Sequence, residues 1–161
     1  MGNKNRLPAP YKFPRSLPTM ISFQAHYRGR FISMLRWPQL SNLWEKVKAQ
    51  PNGWYIYLVG EPVPTAPVEV ESLNQFIQEL DKLLKKEHDY DYCGIVYADD
   101  KDNPSMIKVF DPNNLGAVCG SSGTVVPPRW ILTRIPPEPI IDEAPLPKNR
   151  LRWWHFFKKG M

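Results

Sequence analysis

Apolar and polar residues alternate from 20 to 28: Ile21, Phe23, Ala25 and Tyr27 fall on one side, Ser22, Gln24, His26 and Arg28 on the other. A period of two predicts a half-buried strand, ended by Gly29. The apolar run that follows, Phe31, Ile32, Met34, Leu35 and Trp37, fits either a second strand or a helical turn. Beyond it the period lengthens. Leu40, Leu43, Trp44 and Val47 stand at i, i+3, i+4 and i+7, which is one face of a short helix. Pro38 suits its first turn, where the missing N–H has no intrahelical partner, and Pro51-Asn52-Gly53 stops it.

Residues 54–59 read Trp-Tyr-Ile-Tyr-Leu-Val, apolar on both faces, and predict a strand in the centre of a sheet. A proline-rich crossover over 60–67 leads to the strongest helical pattern, 72–88. There Leu73, Phe76, Ile77, Leu80, Leu83 and Leu84 form one stripe, and Ser72 with Gln75 has the form of a capping box. Glu69 and Glu71 lie by the positive end of that helix, and Lys82, Lys85 and Lys86 by the negative end. Strands over 92–98 and 106–110 flank the turn Asp99-Asp100-Lys101-Asp102-Asn103-Pro104 and predict a hairpin. Another turn follows at 111–116, a short extended piece at 117–119, and a last strand at 129–135 ended by Pro136, Pro137 and Pro139. The order predicts an α+β fold: a mostly antiparallel sheet of about five strands, covered on one face by one long helix. The expected folded unit is 20–137, between a basic proline-rich arm at 1–19 and a proline-containing linker with a basic aromatic tail at 138–161.

A chain of 161 residues suits one domain with its own core. Its 18 prolines, about twice the usual share, cluster at 8–18, 62–67, 127–139 and 145–147 and punctuate the chain without making a repeat. Charge adds what periodicity does not show. The net charge is +5, but residues 1–48 carry nine Lys and Arg against the single acid Glu45. Residues 148–161 carry five basic residues and no acid, so the middle is strongly acidic. Basic ends seek anionic partners, or the acidic middle of their own fold. The first apolar cluster is broken by Pro8, Pro10, Pro14 and Pro18, so no secretion leader is expected. Gly2 invites lipidation, but Arg6 stands where Ser or Thr is required. No segment approaches the ~20 apolar residues of a membrane helix, and two cysteines suit a reducing, cytoplasmic setting.

Four groups of residues are candidates for chemistry or binding. Cys119, Gly120, Ser121, Ser122 and Gly123 form a small-residue loop that suits an anion or a thiol site, with Cys119 as nucleophile and His26 or His88 as base; the plain alternative is a hairpin loop. Asp89, Asp91, Asp99, Asp100, Asp102 and Asp111 invite a hard cation, but Pro104 interrupts the calcium-loop spacing and a solvated turn is expected. His26, His88 and His155 lack zinc spacing, so no metal and no cofactor are expected. The tail is the most unusual: Trp153, Trp154, Phe156 and Phe157 sit among Arg150, Arg152, Lys158 and Lys159. Such a segment needs a surface. A partner protein, single-stranded nucleic acid and an anionic membrane surface all qualify, as does the chain's own domain. Together these features predict a non-catalytic interaction or assembly protein, a subunit or accessory factor of a larger complex, docking through its basic arms. A nucleic-acid-binding protein and a small enzyme using Cys119 are the alternatives.

Overall fold

In a computed structural model, residues 21–114, 126–140, 149–150 and 153–155 are described. Their elements follow in the order α1 (Phe23–Tyr27), β1 (Ile32–Ser33), α2 (Trp37–Ala49), β2 (Tyr55–Leu58), α3 (Val70–Glu87), β3 (Val96–Ala98), β4 (Met106–Val109), a 3-10 turn (Pro112–Asn114) and β5 (Trp130–Thr133). The strands form one antiparallel sheet in the order β1-β3-β4-β5-β2. The class is therefore α+β, as the patterning predicts.

Strand alternation sorts the core into two layers. Ile56, Leu58, Val96, Ala98, Ile107, Val109, Trp130 and Leu132 face α2 and α3. Tyr57, Val59, Met106 and Ile131 face the other way and pack with Phe23 and Ile140. The predicted stripes supply the helical side of the first layer: Leu40, Leu43, Trp44 and Val47 from α2, and Leu73, Phe76, Ile77, Leu80 and Leu84 from α3, are all buried. Leu83, at the margin of its stripe, is only partly buried. The 99–104 turn joins β3 to β4 in the expected hairpin.

Three expectations need correction. The strand expected over 20–28 is absent from its described part, 21–28; 23–27 are the helix α1. Phe23 and Tyr27 satisfy i, i+4 as well as alternation, and their rings stack at 6.0 Å on one helical face. Ser22 decides the matter by accepting the Ala25 N–H on its hydroxyl (3.2 Å), while Ile21 and Ala25 remain exposed. The second correction concerns β2, which lies at an edge and not in the centre of the sheet. It is apolar on both faces because each face has its own covering layer, not because strands flank it on both sides. Third, α3 begins at Val70 with Glu69 as N-cap, so Ser72 lies inside the first turn and its capping box does not govern the start. The Glu69 carbonyl accepts the Leu73 N–H at 2.9 Å.

The ambiguous run at 30–37 becomes the two-residue β1 followed by the start of α2. Gln39 accepts the Arg36 N–H (2.9 Å) and closes the first turn around Pro38. Regular pairing of β3 is confined to 96–98, because Gly94 has φ +69 and turns the chain. On its far side Cys93 and Gly94 donate to the carbonyls of Leu35 and Met34 (2.7 and 2.9 Å), which extends the β1–β3 contact. A left-handed backbone favours glycine here. Gly94→Ala is expected to lower stability by about 1–2 kcal/mol, read from denaturant midpoints.

Candidate functional site

The C-terminal segment returns to its own domain. Residues 149–150 and 153–155 are helical, and Arg150 is 2% exposed. Its guanidinium grips Asp111 in two parallel bonds, Nε to Oδ2 and Nη2 to Oδ1, both 2.9 Å. It also bonds Glu87 in the last turn of α3. Arg129 Nε stands 3.4 Å from the same Asp111 oxygen, and the Asn113 N–H donates to the other at 3.0 Å. Burial alone would raise the Asp111 carboxyl; the Arg150 bond, the Asn113 amide and the two guanidinium charges outweigh it and hold it below the usual range. Burial likewise disfavours the Arg150 charge, and its bonds to Asp111 and Glu87 more than offset that, raising its pKa. Past this clamp Trp154 is buried, and Trp153 packs edge-on against Phe76 and Trp130 (5.9 and 5.8 Å). Of the eight tail residues singled out from sequence, Arg150, Trp153 and Trp154 thus engage the domain itself. Arg152, Phe156, Phe157, Lys158 and Lys159 lie outside the described residues. So does the whole Cys119–Gly123 loop and the short extended piece before it.

The acidic residues of the hairpin serve the turn. Asp99 Oδ1 accepts the backbone N–H groups of Asp100, Ser105 and Met106, and Asp100 Oδ1 accepts those of Asp102 and Asn103. These amide bonds hold Asp100 below its ordinary pKa. Among the described residues no group of His, Cys, Asp and Glu is placed to hold a metal ion. His26 sits 2.8 Å from Asp99 and fastens α1 to the hairpin.

Lys108 fastens α1 as well. It projects from β4 beneath the rings of Tyr27 and Phe31 (4.1 and 3.8 Å) and donates to the Tyr27 carbonyl at 2.6 Å. Burial pushes its ammonium from 10.5 down to about 8. Between those values the folded chain holds fewer protons than the unfolded one, so stability rises with pH across that window. Denaturant titrations from pH 7 to 11 are expected to show this rise, and Lys108→Met is expected to flatten it.

A surface that the periodic patterns did not single out lies at the C-terminal end of α3. His88 caps that helix and is buried, its Nε2–H donating to the Cys93 carbonyl at 2.8 Å. Around it stand Trp37 (6.2 Å between ring centroids), Tyr90 (4.7 Å) and Tyr92 (6.1 Å). The Trp37 indole donates to the Tyr90 carbonyl (2.9 Å), and the Tyr90 N–H donates to the His88 carbonyl (3.0 Å). With the Cys93–Leu35 bond, the 88–93 loop is pinned to α2 and to the segment between β1 and α2. Yet Tyr90 is 58% exposed, Tyr92 50% and neighbouring Leu35 54%. Sequence signals for it exist: a helix-terminal histidine followed by Asp-Tyr-Asp-Tyr, alternating acid and ring, which reads as a solvated turn when taken as charge alone.

Two grooves lie elsewhere among the described residues. One of about 600 Å³ runs between α2 and α3 past Trp44, Lys48, Ile77 and Lys82. The other, of about 470 Å³, lies beside β1 and is walled by Ile32, Leu43, Lys46 and Lys101. Neither has a histidine or cysteine in its wall. No helix among the described residues is long and apolar enough to cross a membrane.

No family model, no curated protein and no solved structure matches the chain.

Proposed function

We propose that this chain is a non-catalytic interaction protein, a subunit or accessory factor of a larger assembly. The observation that carries the reading is the pinned aromatic surface of Leu35, Tyr90 and Tyr92. Large apolar side chains half in water cost free energy, and here the backbone beneath them is fastened by hydrogen bonds to Trp37, His88 and Leu35. Rigid tyrosines on a fixed loop lose little entropy on contact, which is what a binding surface requires. The basic ends add charge for a partner that reaches beyond this patch.

Affinity purification of the full chain beside Tyr90→Ser/Tyr92→Ser tests it. The wild type is expected to retain a defined protein set that the variant loses while its circular dichroism and thermal midpoint stay unchanged. Identical recoveries from both would remove this surface as the docking site.

A further inference from the structure

Two aspartates alternate with the two exposed tyrosines, and both are themselves exposed. Asp89 and Asp91 enter no ion pair among the described residues, whereas Asp81, Asp99, Asp111 and Glu87 are each matched to a cation or an imidazole. The Tyr90 and Tyr92 rings stand 5.5 Å apart, tilted by 32°, with half of each open to solvent. Aromatic faces attract cations through the ring quadrupole, and guanidinium groups stack on them best. A carboxylate beside such a face supplies the counter-charge and, for arginine, a planar acceptor. On this chain the arrangement is also preorganised, because buried His88 and the Trp37 indole fix the loop from below.

We infer that Tyr90 and Tyr92, flanked by Asp89 and Asp91, seat arginine side chains from a basic segment of a partner protein. The inference rests on the interaction reading above and names the chemistry of its partner. Leu35, whose carbonyl accepts the Cys93 N–H, is half exposed and offers apolar area for the partner's aliphatic stems.

The test uses the isotope-labelled full chain, titrated at low and at physiological salt with a capped tetra-arginine peptide and with tetra-glutamate. Saturable shifts are expected at the amides of Tyr90 and Tyr92 with the arginine peptide, and none with glutamate. Binding is expected to weaken about tenfold in Tyr90→Leu/Tyr92→Leu, which keeps apolar bulk and removes the rings. Asp89→Asn/Asp91→Asn is expected to weaken it too and to reduce its salt dependence. Shifts scattered over all acidic positions, or equal affinity in the leucine variant, would overturn the seat in favour of general charge attraction. A dimer of the free chain that Tyr90→Leu/Tyr92→Leu dissociates would overturn it as well, since a second copy would then fill the patch. If arginine fails to bind while the captured protein set is still lost with the tyrosines, the cationic seat falls and the interaction reading stands. If neither is seen, both fall.

Discussion

Arg150→Met is expected to lower the stability of the full chain by about 3–5 kcal/mol, the usual cost of removing one partner from a buried ion pair. Asp111 is 3% exposed and loses both of the 2.9 Å bonds that compensate its burial. Arg129 at 3.4 Å and the Asn113 amide remain, too few for a carboxylate out of water. Arg150→Lys keeps the charge but not the fork, and is expected to recover only part of the loss. Acid has a related effect. The Asp111 carboxyl is held below its ordinary value of 3.8, so its contribution is complete above that value and disappears as pH falls through the depressed one. Urea titrations at neutral pH and near pH 3 read both effects, and the acid-dependent part is expected to shrink in Arg150→Met.

Phe76→Ala is expected to cost a similar amount, about 3–5 kcal/mol, as large-to-small changes of buried phenylalanine do. Phe76 is fully buried on α3 and holds Trp153 and Trp154 edge-on at 5.9 and 6.3 Å. Its loss opens a cavity at the joint between the long helix and the C-terminal segment. Loss of tryptophan fluorescence shift at denaturant concentrations where far-ultraviolet dichroism persists would show that segment leaving first. Because Arg150 and Trp154 belong to the core, removing 148–161 takes away part of the fold along with the tail. Point changes at exposed positions therefore give the cleaner test of function.

The two longer helices, α2 and α3, were legible in the spacing of their apolar residues because each buries one face and exposes the other. Leu40 to Val47 and Leu73 to Leu84 carry that signal without interruption. The hairpin was equally plain, since a cluster of Asp and Asn separates two apolar runs, and Val96 and Ala98 of one enter the same layer as Ile107 and Val109 of the other. Short segments were not. Five residues with apolar positions at 23, 25 and 27 satisfy both periods, and a single hydroxyl, that of Ser22, chose the helix. The place of β2 in the sheet was hidden for another reason: burial on two faces is set by layers, whereas position in the sheet is set by hydrogen-bonded edges, and side-chain pattern reports only the first.

The functional surface divides in the same way. The basic aromatic tail was conspicuous in composition, but whether tryptophans meet a partner or their own domain depends on a distant acid. Asp111 lies 39 positions from Arg150 and in sequence looks like one more member of an acidic cluster. The Tyr90–Tyr92 patch hid in the opposite manner. Its residues are ordinary for a turn, and its character comes from His88, Trp37 and Leu35 being folded beneath and beside them.

The most direct test of the account places a photo-crosslinking amino acid at position 92 and, in a separate chain, at exposed position 74, in the wall of the groove between α2 and α3. Irradiation in cells is predicted to give a discrete covalent adduct from position 92 and none from position 74. Adducts of equal yield from both positions, or from position 74 alone, would contradict the claim that this protein works by contact through the Leu35–Tyr90–Tyr92 surface.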